Sequence, residues 1–515
     1  MDAPLSWIES SMLLKLEGGE PLYLQVYRAL LRAIEDGRFP PAKRLPGTRT
    51  LAQELGVSRT VVLQAFAQLE SEGITIGNPG SGTYVRARAG HEPPATVAGR
   101  SRRTDAWLAP LNAELPVPTP WAVRTANAVP PVDRSAPDVV DDDMLDFTDQ
   151  RPFQDAQGSR RWRQVLMDSL QHRGDGLPDI RGLAELRAAL ALELRQQRGI
   201  SVDAQDILIV SGIQQARDLI ARVLVQPGLV IGVEDPGYRG VRATFAAAGG
   251  QVLPCPVGPH GLDVDAHASA LAEVRLLYVM PAQQFPTGAV MPEVQRHRLL
   301  AWAYRQGAYV VEDDFEPEHR LVSQAVPPLF AIDRREQVIY LGAFAREFFP
   351  ALRMAYIVAP PALRPYLTAA KWVADRGSGF LLQHVLARYV ASGEYQRNLR
   401  RLFVQLAAKR ERLAASLTRH FGHRTLVEGA AVSGTLLVHF PEAPAAQVDS
   451  LVAEAALSGV RVGSAHVYYA NPPAHLTLLL RYAHLASGRI DEAVRRLAEA
   501  YGNTIARPPL RACAR

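Results

Sequence analysis

The 515-residue chain is short of several residue types, and each shortage excludes something. Two cysteines, Cys255 and Cys513, are too few for a disulfide framework or a four-thiolate zinc site. No stretch reads as a membrane span, since even the uncharged run 243–262 is broken by glycine and proline. A basic tail is missing too. Residues 1–90 carry ten basic and nine acidic side chains, residues 91–150 five and ten, and the remainder 42 and 33. Bulk charge therefore does not announce nucleic-acid binding, and local placement must make that case. Asp2 and Glu9 precede Lys15 with no secretory pattern, so a reduced, cytoplasmic protein is the expectation. The deepest shortage is lysine. Only Lys15, Lys43, Lys371 and Lys409 stand among 57 basic residues, and arginine cannot replace lysine where a nucleophilic amine is required.

What is present falls into three parts. Residues 21–85 alternate helical periodicity with turn signals and end in a glycine-rich hairpin. Residues 86–149 dissolve into nine prolines and the acidic patch Asp141, Asp142 and Asp143, which reads as an extended linker. Beyond it, helical segments alternate with short apolar runs at 207–210, 229–233, 276–280, 309–311, 338–341 and 354–358. That alternation indicates buried parallel strands with crossover helices, a large α/β domain. The expected boundaries are 1–88, 89–148 and 149–515.

In the first part Leu22, Val26, Leu30 and Ile34 form one helical stripe. Thr48 is positioned to cap a short helix, Gly56 supplies a turn, and Ser58 caps a second helix carrying Val61, Val62, Phe66 and Leu69. Two short helices across a glycine turn have helix-turn-helix spacing, and ITIGNPGSGTYV at 74–85 follows as a strand–turn–strand wing. The stretch LPGTRTLAQELGVSRTVVLQAFAQLESEGITIGNPGSGTYV closely resembles the winged helix of the GntR family of bacterial transcription regulators. The resemblance implies an α+β winged helix-turn-helix whose recognition helix spans 57–71. Arg49, Ser58, Arg59 and Thr60 would then face DNA, with Gly82 letting the wing approach the backbone. Arg59 and Thr60 at that helix's start suit a major groove, and Arg49 suits phosphate. Arg38, Lys43 and Arg44 read as a solvated face or as further phosphate contacts.

In the third part the order of motifs speaks louder than any one of them: LPDIRGLAELRAALA, ILIVSGIQQARDLIARVL, VEDPGYRG, YVMPAQQFPTGAVMP, VVEDDFEPEHR and VIYLGAFAREFFPALRMAYIV. This series resembles the fold-type I, aspartate aminotransferase-like domain with its mostly parallel central sheet. Joined to a GntR-type winged helix, it resembles the MocR branch of that family. The resemblance implies a pyridoxal 5'-phosphate pocket, a homodimer, a small-molecule effector and a DNA operator. The Ser211–Gln215 segment, with Gly212, Ile213 and Gln214, would offer amides and a helix dipole to the phosphate. Tyr238 would stack on the ring, Asp313 pair with its nitrogen and Arg353 clamp the phosphate. Each has a plain structural alternative: local capping or pairing for Asp313, packing under a loop for Tyr238, an ion pair for Arg353.

The Schiff-base lysine of the family pattern Gly-Thr-Phe-Ser-Lys is missing. The chain reads Gly342, Ala343, Phe344, Ala345, Arg346. Ala343, Ala345 and Ile213 replace hydroxyl residues, and Phe315 replaces a tyrosine. Each lost hydrogen bond is worth about 0.5–1.5 kcal/mol. Lys371 and Lys409 sit in helical, charge-rich contexts past the strand and are poor substitutes. Arg481, after an apolar run, is a candidate effector ligand or a surface arginine. His420 and His423 are spaced H-x-x-H, but Gly422 favours a turn, and no metal site is expected. The expectation is a bacterial, nucleoid-associated transcription regulator whose enzyme-like domain senses a ligand without covalent cofactor. The alternative is a pyridoxal phosphate-dependent aminotransferase, or a regulator that responds to the cofactor.

Overall fold

The computed structural model describes residues 21–40, 42–71, 74–78, 82–85, 143–148, 156–171, 179–314, 326–344, 352–429 and 433–505. Backbone contacts divide the chain into two compact units, Met1–Pro116 and Val117–Arg515. No helix among the described residues is long and apolar enough to cross a membrane.

The first unit contains α1 (Leu22–Glu35), α2 (Thr48–Glu54), α3 (Arg59–Ser71), β1 (Thr75–Asn78) and β2 (Gly82–Val85). Val26, Leu30 and Ala33 of α1 pack on Leu51, Val62, Ala65, Phe66 and Leu69, closed off by Phe39, Leu45 and Val85. Burying each such large side chain contributes about 1.5–3 kcal/mol, which is what holds helices this short together. Gly56 takes φ +65° in the turn between α2 and α3. Ser58 Oγ accepts from the Val61 N–H at 3.4 Å, a capping bond. Thr48 does not cap. Gly47 holds the N-cap position and Thr48 is the first helical residue, so its hydroxyl is free to accept from Arg59 Nε at 3.4 Å. β1 and β2 pair antiparallel from Thr75↔Val85 to Asn78↔Gly82.

The second unit runs β3 (Leu145–Asp146), α4 (Ala156–Ser169), α5 (Ala184–Arg198), β4 (Ile207–Val210), α6 (Ile213–Leu224), β5 (Val230–Asp235), α7 (Arg239–Ala247), β6 (Gln251–Gly258), β7 (Gly261–Leu262), β8 (Leu276–Val279), α8 (Glu293–Gln306), β9 (Tyr309–Asp314), α9 (Leu329–Ile332) and β10 (Val338–Ala343). It continues with β11 (Ala355–Val358), α10 (Arg364–Asp375), α11 (Phe380–Ala391), α12 (Glu394–Phe421), β12 (Leu426–Glu428), β13 (Thr435–Pro444), α13 (Val448–Leu457), β14 (Val460–Arg461), β15 (Gly463–Ser464), β16 (His475–Arg481) and α14 (Ile490–Ile505).

Eight strands form the main sheet in the order β4-β11-β10-β9-β8-β5-β6-β7. β5, β6, β8, β9 and β10 pair parallel, and every residue of β4, β8 and β11 is buried. Continuous apolar runs are what a sheet covered on both faces demands. β11 differs from the expected parallel strand: it is antiparallel to both β10 and β4. The segment joining β10 to β11 is too short for a crossover, which needs a dozen or more residues, so the chain returns in the opposite sense.

A second sheet, β12-β13-β16-β15, carries a core of its own with α12, α13 and α14. Leu145 and Phe147 are buried in that core, and β3 pairs parallel with β14. The packed domain therefore begins before the boundary of 149 expected from composition.

Candidate functional site

In the first unit Arg49, Ser58, Arg59 and Thr60 are all exposed, clustered by the approach of α2 to the start of α3. The Gly77 N–H donates to Glu70 at 3.1 Å, joining the wing to the far end of α3. Gly82 has φ +114°, and a Cβ there would lie 2.5 Å from Arg44 Nε. The wing needs glycine at 82 for its φ, and Arg44 lies across it, a contact the sequence pattern did not reveal.

In the second unit the parallel strands β5, β8, β9 and β10 deliver their C-terminal ends to one edge of the sheet, and α6 starts there after β4. Gly212, at φ +93°, forms the N-cap of α6, with Arg353 atoms 3.9 Å from where its Cβ would be. Arg353 is exposed and itself adopts φ +48°. The Ser211 N–H is already used, donating to Gln215 Oε1 at 2.7 Å, and the Gln215 N–H donates to the Gly212 carbonyl at 3.1 Å. That leaves Ile213 and Gln214 to present first-turn amides. Gln214 turns its side chain to Thr244 Oγ1 at 2.6 Å, and Ile213 packs on the core.

Asp313, 1% exposed near the end of β9, is held by two donors. Arg217 Nη2 lies 2.8 Å from Oδ2, and the Tyr278 hydroxyl donates to the same oxygen. Arg217 Nε donates to Tyr278 Oη at 2.7 Å. Asp313 Oδ1 is buried with no hydrogen-bond partner among the described residues. The Arg217 guanidinium carbon stands 4.8 Å from the centroid of the Tyr238 ring. Burial opposes the charge on Arg217, but Tyr278 and Asp313 beside it more than compensate and hold its pKa above the ordinary value. Burial raises the Tyr278 phenol well above its usual range, so it is a neutral donor.

Aromatic contacts carry the site to the second sheet. Phe285 lies edge-on to Tyr238 (6.1 Å) and to Tyr468 (5.1 Å), and Arg481 Nη2 donates to Tyr468 Oη at 3.2 Å. The Gly237 N–H donates to the Tyr468 carbonyl at 2.9 Å. Tyr238, Asp313, Gly212, Ile213, Gln214, Arg353 and Arg481 are thus linked around one strand-end edge, with Ala343 closing β10 nearby. Phe315, Ala345 and Arg346 lie outside the described residues.

The sequence pattern of the family described as aminotransferase class I and II matches residues 144–474. The chain belongs to that family.

The pattern described as bacterial regulatory proteins, gntR family, matches residues 22–85, so this aminotransferase-family chain also carries a helix-turn-helix domain. It is 29% identical over 493 residues to the "Probable rhizopine catabolism regulatory protein MocR" of Rhizobium meliloti, covering 95% of this chain and 96% of that one. It is likewise 29% identical over 378 residues to the HTH-type pyridoxine biosynthesis transcriptional regulator PdxR of Corynebacterium glutamicum, 73% of this chain and 75% of the relative. Among solved structures, the alpha-aminoadipate aminotransferase LysN of Thermus thermophilus, complexed with N-(5'-phosphopyridoxyl)-L-leucine, superposes with a TM-score of 0.64 at 28% identity. That match covers 71% of this chain and 93% of the enzyme. The aminotransferase fold implies pyridoxal phosphate as the group its pocket is shaped for.

Two features of the aminotransferase-family domain escape the sequence reading. Lys371 is fully buried, not merely helical and charge-rich. Its Nζ donates to Asp375 Oδ2 (2.6 Å), Ser378 Oγ (3.0 Å) and Gln215 Oε1 (3.3 Å), and Ser378 Oγ lies 3.4 Å from Ser211 Oγ. Burial lowers its pKa against the opposing pull of Asp375. Glu234, at the end of β5, accepts from the Met280 N–H at 3.1 Å, and burial pushes its pKa up to about 8.

Proposed function

We propose that this chain is a transcription regulator in which the winged helix binds an operator and the aminotransferase-family domain dimerises and senses a small ligand without a covalently held cofactor. The observation that carries the reading is Arg346, which stands at the Schiff-base position where the family pattern has lysine. A guanidinium stays protonated at neutral pH and cannot form the carbon–nitrogen double bond. The described residues do not fit the cofactor either. Asp313 Oδ2 already holds Arg217, the Ser211 amide is consumed by Gln215, and Ile213 brings no hydroxyl. Phe315, Ala343 and Ala345 remove further donors.

Arg59 and Thr60 read bases in this proposal, Arg49 and Ser58 contact phosphate, and Gly82 brings the wing to the backbone. Residues 1–88 serve as reader and the domain that β3 opens at Leu145 serves as sensor, with the stretch between them as linker, in a bacterial, nucleoid-associated protein. A homodimer would cover the exposed apolar side chains Tyr366, Trp372, Val373, Leu382 and Val404, presenting two winged helices to paired half-sites. Arg353 and Arg481, at the pocket rim, suit an anionic effector.

One observation favours a second reading, a cofactor-responsive regulator or aminotransferase: the Nζ of Lys371 reaches the first turn of α6. Its three donors are satisfied, which argues for an anchor rather than a nucleophile. The deciding experiment adds pyridoxal 5'-phosphate to the full-length protein, reduces with borohydride and maps modified peptides. The regulator reading expects no lysine adduct in the pocket and salt-sensitive binding to DNA from its own promoter region. A reduced adduct on Lys371 establishes the second reading.

A further inference from the structure

Arg217 sits one turn into α6, on the stripe of Ile213, Ala216, Ile220 and Ala221 that packs against the sheet. An arginine there needs a reason. Its guanidinium lies between the Asp313 carboxylate and the face of Tyr238, donates to the Tyr278 hydroxyl, and is 5% exposed. A pyridinium ring with a phosphate arm requires the same surroundings: a carboxylate for its ring N–H, an aromatic face to stack against, and a helix N-terminus for the phosphate. Guanidinium and pyridinium are both flat, delocalised cations with N–H donors in the plane.

We propose that Arg217 is a resident substitute for the cofactor ring, occupying the place between Asp313 and Tyr238 and neutralising the carboxylate so that the pocket stays folded with no cofactor bound. The proposal rests on the regulator reading, because a domain that held the cofactor through a lysine would have no use for the substitute. It also restricts the effector. With the Asp313 charge matched from within, Arg353 beside Gly212 and Arg481 on Tyr468 remain, among the described residues, as cations that a ligand could meet, so the effector is a small anion that binds above Arg217 and needs no pyridine ring. Asp313 Oδ1, buried and unpartnered among the described residues, is the acceptor a ring N–H would use once the guanidinium is removed.

Pyridoxine 5'-phosphate, which has the ring and the phosphate but no aldehyde, tests this without involving any lysine. Its affinity is measured by isothermal titration calorimetry for the wild-type protein and for Arg217→Leu, which vacates the ring's volume. Arg217→Gln, a smaller change that keeps a donor toward Asp313, serves if the leucine variant does not fold. The expected result is at least about tenfold tighter binding in the variant, about 1.4 kcal/mol. The ligand should also raise the melting temperature of the variant and leave that of the wild type unmoved. No gain in affinity over the wild type, whether both bind or neither does, overturns the substitution. A lysine adduct with pyridoxal phosphate in the wild type overturns the regulator reading instead, so the two failures are told apart.

Discussion

Asp313 and Asp314 are neighbours on β9, yet strand alternation sends them to opposite faces of the sheet. Each meets a buried arginine and a tyrosine hydroxyl. Asp313 holds Arg217 and Tyr278. Asp314 holds Arg198 Nε at 3.1 Å and the Tyr340 hydroxyl at 2.7 Å. The surroundings are what separate them. The Asp314 cluster lies among Tyr340, Tyr356, Phe344 and Tyr395, all buried. The Asp313 cluster is roofed by Tyr238, which is 41% exposed, at the edge where the strand ends and α6 converge. The same three residue types thus make an enclosed pillar on one face and, beneath the exposed Tyr238, the floor of the proposed pocket on the other. Residue composition alone does not distinguish a fully enclosed ion pair from one beneath an exposed ring; access does.

The largest expected effect comes from breaking the pillar. Asp314→Ala leaves Arg198 charged and enclosed, and should cost about 3–5 kcal/mol in urea-induced unfolding. Asp313→Ala should cost less, about 1–3 kcal/mol, because Arg217 keeps Tyr278 and can turn toward the half-open side at Tyr238. Equal losses in the two variants would dissolve the contrast and make both clusters pillars. Arg59→Ala touches neither cluster. It should weaken operator binding by about 1–3 kcal/mol in fluorescence anisotropy while leaving the melting temperature unchanged. Intact operator binding would remove Arg59 from the reading surface.

The smallest effect is a pH dependence on the face opposite Asp313. Glu234 has a folded pKa of about 8 against an ordinary 4.5. Its contribution to stability is therefore complete below about 4.5 and is lost as pH rises through 8. Glu234→Gln should flatten thermal stability across that window. On the same face Glu312, in register with Val279 and raised by burial to about 7, should show the same sign with its loss ending about one pH unit lower. Identical profiles for Glu234→Gln and Glu312→Gln would show that the two carboxyls do not titrate separately.

Much of this was legible in the residues. The apolar runs at 207–210, 276–280 and 338–341 fall on strands, and the 48–85 pattern folds as a winged helix, because periodicity and glycine turns act locally. The antiparallel return of β11 and the early entry of β3 depend on where distant strands have room, which local pattern does not encode. The pocket was half legible. Tyr238, Asp313 and Gly212 could be placed by motif, whereas Arg217 was hidden among 53 arginines. A signal did exist. Arg217 falls on the apolar stripe of α6, Arg198 continues the four-residue spacing of Leu186, Leu190 and Leu194 on α5, and Lys371 follows Leu367 on α10. A cation on the core-facing stripe of a helix must find a counter-charge, and in all three cases an aspartate supplies it, buried for Arg217 and Arg198 and at the exposed end of the same helix for Lys371.

The bond between Glu70 and the Gly77 N–H gives the first unit a property that neither its helix nor its hairpin has alone. With α3 held to β1 and Arg44 wedged over Gly82, helix and hairpin turn as a single bevelled edge with a set opening. In the proposed regulator such an edge would seat only where the spacing between a major groove and the neighbouring strand matches that opening. Operators would then be sorted by the local width and stiffness of the duplex as well as by the bases proposed to meet Arg59 and Thr60.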